Sequence, residues 1–265
     1  MNRIGMSSAC FYPKTTEESF LSIAKLGVKT AELFFNTPCE LEDGFVSQIK
    51  KIRDDYGIDI VSVHPFLSFT ESATLFSNYE RRFRDFLPKY SDFLRVVGDL
   101  GARYFVIHGA KIPGTVDDDT YCERFEALMR EGERYGVTVA HENVVEYRGE
   151  DPKYLRMMSE KIGPRFRIVY DLKQARRAGY TEKDFFPLLA PQVCHIHVSD
   201  HPAHRTPKKN DCIPPGEGVF DFAGFFADMK KLDYAGDYII ELYDWSWKNE
   251  RELIDAKELL ERLVL

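Results

Sequence analysis

Six side chains able to bind a divalent metal, His64, His108, Glu142, Asp171, His197 and Glu241, each close a strand-like segment of this chain. Neighbours in the series lie 44, 34, 29, 26 and 44 residues apart, about one strand plus one helix each time. A lone His or Glu at a strand end is more often a surface or capping residue, so only the set points to a site. Carboxylates and an imidazole gathered at one place make a hard, oxygen-rich site with one nitrogen, suited to one divalent ion: Zn²⁺, Mn²⁺, Co²⁺ or Mg²⁺. Without a cation, clustered carboxylates repel and at least one is driven neutral.

Bringing these residues together needs parallel strands whose carboxyl ends open onto one face. The coarse pattern is strand then helix, eight times over. Strands are expected at 3–8, 29–35, 58–64, 103–108, 137–142, 166–171, 193–198 and 237–242. Thr15 and Glu18 read as a capping box, Gly27, Gly57, Gly101 and Gly136 close helices, and Pro88 predicts a kink or break within 78–100. Eight such units favour an α/β fold closed as a (β/α)8 barrel over an open doubly wound sheet. Alternation then sorts the strands: Ile60, Ser62 and His64 share one face, as do Asp237, Ile239 and Glu241, while His141 is out of phase with Glu142 and points outward.

The 265 residues suit one barrel, read as a single domain over 1–265, and no linker-like tract interrupts them. A net charge of −7 offers no broad positive field for nucleic acid. The polar amino terminus, broken by Pro13, does not resemble a signal peptide, and no apolar run suggests a membrane span. A cytoplasmic protein is expected. Its five cysteines lack a CxxC pair and read as free thiols.

The segments IVSVHP, YFVIHGA, VAHENV, VYDLKQA, HIHVSDH, PPGEGVFDF and YIIELYDW, in this order, resemble the xylose isomerase-like barrels. That superfamily includes sugar and sugar-phosphate isomerases and epimerases, inosose dehydratases and class II AP endonucleases. The resemblance covers essentially the whole chain and implies Glu142, Asp171, His197 and Glu241 as metal ligands. It further implies that His64 and His108 touch substrate, or with Glu142 hold a second ion as in the endonucleases. The activity implied is epimerisation or isomerisation of a small ketose or sugar phosphate, with Glu142 and Glu241 exchanging the proton through a metal-stabilised enediolate. A dehydratase on the same site is the alternative, and an AP endonuclease a further one. A hydride-shift aldose isomerase would carry a second metal and a lysine, neither clearly placed in the sequence. Related barrels are often oligomers, although no interface is legible.

His197 is preferred to His195 because it opens the HxxD stretch, whose Asp200 either orients the ring or caps a loop. Glu32, expected to end the second strand facing inward, either touches substrate or forms a salt bridge. Arg205, Lys208 and Lys209 could clamp a phosphate or hydroxyl, or simply face solvent. Phe66, Phe69, Trp245 and Trp247 could wall the pocket or hold loops down. Gln174 replaces a histidine common in relatives, which puts one substrate contact in doubt. Gln174 with Asn210, Asp211 and Cys212 also cannot assemble the endonucleases' third zinc site.

Overall fold

A computed structural model describes residues 2–65, 70–204 and 211–264. Eight parallel strands follow one another around a closed barrel: β1 (Ile4–Ser7), β2 (Thr30–Phe34), β3 (Asp59–His64), β4 (Tyr104–Ile107), β5 (Thr138–Glu142), β6 (Ile168–Asp171), β7 (Val193–Val198) and β8 (Asp237–Ile240). β8 pairs back onto β1 through Ile4 opposite Tyr238. Outside them run α1 (Thr16–Lys25), α2 (Asp43–Tyr56), α3 (Glu80–Asp99), α4 (Asp118–Glu133) and α5 (Pro152–Ile162). After β6 the crossover splits into α6 (Leu172–Ala178) and α7 (Glu182–Leu189), and α8 (Phe222–Lys231) and α9 (Glu250–Val264) complete the ring.

Local signals account for these boundaries. The Thr15 hydroxyl accepts from the Glu18 amide and the Glu18 carboxylate accepts from the Thr15 amide, opening α1 with a reciprocal cap. Gly57, at φ 59°, closes α2 in a left-handed conformation costly for a residue with a Cβ. The expected break at Pro88 does not divide the helix, and α3 is assigned without interruption through it. Pro88 and Arg84 both face solvent, so the Arg84 carbonyl that proline leaves without an amide donor can be hydrated.

Strand parity separates two apolar layers. Outward residues such as Val63, Phe105 and Tyr170 join the large core against the helices. Val106, Ala140 and Val169, two residues before His108, Glu142 and Asp171, form a smaller separate cluster with Cys194 beneath those polar ends. All five cysteines are free. Among the described residues no helix is long and apolar enough to cross a membrane.

The amino-terminal end of the barrel is tied by charge. Buried Asp237 on β8 accepts from Arg3 through both oxygens (2.9 and 2.8 Å) and from Arg103 (2.6 Å), while Arg3 also reaches Asp59 (2.7 Å). One carboxylate thus connects the chain segments entering β1, β4 and β8. Both arginines are partly hydrated, which limits the loss when it is removed. Asp237→Ala is expected to cost about 2 kcal/mol, read as a lower urea midpoint at unchanged slope. An unmoved midpoint would contradict this role.

Candidate metal centre and active site

Three strand ends converge on His197 of β7. Its Nδ1 lies 2.7 Å from Glu241 Oε2, 3.4 Å from Glu142 Oε1 and 3.8 Å from Asp171 Oδ2. Ligand atoms from Glu142, Asp171, His197 and Glu241 all fall within 4.8 Å of one another, in a pocket that leaves only Glu241 appreciably open. Asp171 and His197 are register partners on β6 and β7, so their side chains share the inner face. His141, by contrast, packs outward: its Nε2 meets the Tyr121 hydroxyl of α4 at 2.7 Å, and its ring lies against Phe125.

The donor atoms fit a cation. His197 Nδ1, Asp171 Oδ2 and Glu241 Oε2 are buried with no hydrogen bond, even though the first and last are only 2.7 Å apart. Burial opposes charge on the His197 ring, yet Glu32 and Glu241 outweigh it and raise its pKa well above the ordinary value. Burial likewise pushes Glu142 and Glu241 up, but histidine contacts hold Glu142 well below the usual range, and Lys173 with His197 brings Glu241 to about 2. The pocket therefore demands positive charge at its centre, which either a ring proton or a metal ion can supply.

His197 is fixed from below by Glu32. Its Nε2 stands 3.0 Å from Glu32 Oε2, and only a protonated nitrogen can donate to that carboxylate, which turns the lone pair of a neutral ring at Nδ1 toward the carboxylate cluster. The same oxygen accepts from Ser62 Oγ (2.7 Å) and His195 Nε2 (3.2 Å), and His64 Nε2 lies 3.6 Å away. Burial raises the Glu32 pKa, and the surrounding histidines overcome it and hold the carboxylate well below its usual range. The expected place of Glu32 is corrected here: β2 continues to Phe34, so Glu32 sits mid-strand and fully buried, under the imidazole rather than at the mouth. The alternative that Asp200 orients His197 is corrected too. Asp200 accepts from the amides of His201, Gly216, Gly218 and Phe220, and it knots the following loop.

The chain matches the family model described as xylose isomerase-like TIM barrel over residues 20–263. It belongs to the xylose isomerase-like TIM barrel family. A putative L-ribulose-5-phosphate 3-epimerase of Escherichia coli K12 is 25% identical over 64% of this chain and 63% of that one. Among solved structures, a D-tagatose 3-epimerase-like protein superposes with TM-score 0.81 at 21% identity, over 99% of this chain and 97% of that one. The IolI protein with a bound zinc atom superposes at 0.78 and 14% identity, over 99% and 98%.

Within this xylose isomerase-like site, Lys173 is the residue the sequence reading missed. Its Nζ lies 3.3 Å from Asp171 Oδ2, 3.4 Å from Glu241 Oε1 and 4.9 Å from the centre of the Tyr243 ring, wholly buried. It follows Asp171 by two residues in the first turn of α6, where a lysine reads as ordinary helix surface. A lysine is therefore placed after all, and so is a second candidate ion group. His64, His108 and Glu142 offer ligand atoms within 4.8 Å of one another, with His108 Nε2 at 3.1 Å from Glu142 Oε2. His64 is buried and stacked on Phe34, whereas His108 opens partly to the mouth.

The remaining candidates divide. The Asp171 carboxylate caps α6 by accepting from the backbone amide of Gln174 (2.9 Å), and the Gln174 side-chain oxygen accepts from the Val145 amide (3.3 Å). Trp245 is exposed at the mouth, but Trp247 holds its loop down by donating to the Cys10 carbonyl and packing edge-on against Phe11. Asp211 is bound by Arg177 through both oxygens (2.9 and 2.7 Å), which leaves it unavailable as a ligand. Arg205, Lys208, Lys209, Asn210, Phe66 and Phe69 lie outside the described residues.

Glu32→Gln keeps an acceptor beneath His197 but removes its charge. Cation affinity is expected to fall about 10- to 100-fold, read by competition with a chelating dye. Undiminished affinity would show that Glu32 does not govern this ring.

Proposed function

We propose that this protein is a divalent-metal-dependent epimerase or isomerase acting on a small ketose or a derivative of one. One observation carries the reading: two carboxylates from strands three places apart in the barrel, Glu142 of β5 and Glu241 beyond β8, flank the same imidazole nitrogen at 3.4 and 2.7 Å. A substrate carbon lodged between them would meet a carboxylate on either side, so one could remove a proton and the other return one to the opposite face. The names of the E. coli relative and of the D-tagatose 3-epimerase-like structure support this chemistry.

Glu142, Asp171, His197 and Glu241 would hold the ion, which when bound polarises the substrate carbonyl and acidifies the adjacent C–H. Lys173 pins Glu241 through Oε1 and fixes where its second oxygen points. His108 donates to Glu142 and opens to the mouth, where it can pass a proton between that carboxylate and a substrate hydroxyl. The apolar cluster of Val106, Ala140 and Val169 closes the floor against water.

A panel of ketoses incubated in deuterated water tests the reading. Exchange at carbon without change of formula is expected, with loss in chelator and recovery on adding back Mn²⁺ or Co²⁺. Glu142→Gln and Glu241→Gln should each lower the rate about 10²- to 10⁴-fold. Loss of water from the sugar would mark a lyase instead, and turnover undiminished in both variants would defeat the proposal.

A further inference from the structure

Aromatic rings line one half of the barrel mouth. The ligand candidates stand at the ends of β3 to β8, whereas the ends of β8, β1 and β2 carry Tyr12, Phe34, Tyr243 and Trp245 around a pocket of about 360 Å³ that also takes in Glu241. Tyr12 is 58% exposed and Trp245 52%, high values for large rings that pack nothing on that side.

The pocket is continuous with the candidate ion site through Glu241. Phe34 stacks on His64 at 4.2 Å and 7°. Trp245 stacks on Tyr243 at 4.5 Å and 9°, and Tyr243 is anchored by its hydroxyl to Arg177 (3.0 Å) with the Lys173 ammonium 4.9 Å from its ring. Two of the pocket's four aromatic walls therefore rest directly on residues of the candidate metal centre.

Its polar edge favours hydroxyls. Asn36 spends its amide nitrogen on Thr16 and the Phe34 carbonyl, which leaves its oxygen as an acceptor, and Asp244 adds a carboxylate. Lys14, the only cation among the described lining residues, turns its ammonium to Ser22 Oγ (3.1 Å) and the Phe11 ring. Flat aromatic faces beside oxygen acceptors suit a ring with apolar C–H faces and O–H edges, and they repel an anion.

We infer that this aromatic half is a second subsite for a neutral sugar ring, so that the substrate is a ketose carrying a glycosidic partner. The inference rests on the ketose reading above. The reacting carbon sits between Glu142 and Glu241, and the second ring lies across Tyr12 and Trp245.

Quenching of tryptophan emission in the metal-loaded protein measures binding without requiring turnover. The probes are D-fructose, D-fructose 6-phosphate, and maltulose, leucrose and isomaltulose, which are fructose bearing glucose on different oxygens. At least one glucosylated ketose should bind tenfold or more tighter than both D-fructose and its phosphate, and Tyr12→Ala should erase that margin. Equal affinities, tighter binding of the phosphate, or a margin that survives Tyr12→Ala would overturn the subsite. Deuterium exchange on the same sugars reports the chemistry separately: tight binding of a disaccharide with no exchange in any sugar would sink the epimerase reading and leave the subsite standing.

Discussion

A single buried carboxylate organises the interior of this barrel. Glu32 lies under His197 and accepts a hydrogen bond from its Nε2 at 3.0 Å, which leaves only Nδ1 to face Glu142, Asp171 and Glu241. Were the ring to present a proton upward in its neutral form, the four side chains would become a hydrogen-bonded cluster rather than a ligand set. Glu32 in turn is tolerable at zero exposure because Ser62 and His195 hydrogen-bond the same oxygen and His64 stands nearby. The candidate site is thus built in layers, with apolar floor, carboxylate, imidazole and open carboxylates following one another toward the mouth.

Charge explains the second feature. Three carboxylates around a divalent cation would leave one negative charge in excess, which Lys173, buried against Asp171 and Glu241, would balance. A lysine so placed would be costly alone, since burial opposes its charge, yet Asp171 and Glu241 reverse that and raise its pKa well above the ordinary value. The same ammonium lies beside the Tyr243 ring, on which Trp245 stacks. Ion site and aromatic mouth are consequently parts of one packed unit, not neighbouring accidents.

Much of this was legible in the chain. Period-two alternation and the recurring strand–helix spacing placed eight strands and put His64, His108, Glu142, Asp171, His197 and Glu241 on one rim, because a parallel barrel fixes both face and end together, and the family resemblance singled out the last four as ligands. What escaped lay where that logic has no hold. Lys173 sits in a helical turn, where parity says nothing about a flexible side chain folding back across the strand end. Glu32 was misplaced because alternation gives the face a side chain takes but not its depth, and at mid-strand in β2 its carboxylate lies beneath the rim. Asp200 was ambiguous because a loop knot and an imidazole support use the same residue type, and only the positions of the amides at 216, 218 and 220 decide between them.

The chemistry proposed for this barrel depends on one ion held among four side chains. A crystal of the protein loaded with Mn²⁺ or Zn²⁺, with the metal located by its anomalous signal, tests this most directly. The expected result is one peak about 2.0–2.2 Å from His197 Nδ1 and from oxygens of Glu142, Asp171 and Glu241. A peak elsewhere, or one bound to His197 through Nε2 in place of Glu32, would contradict it.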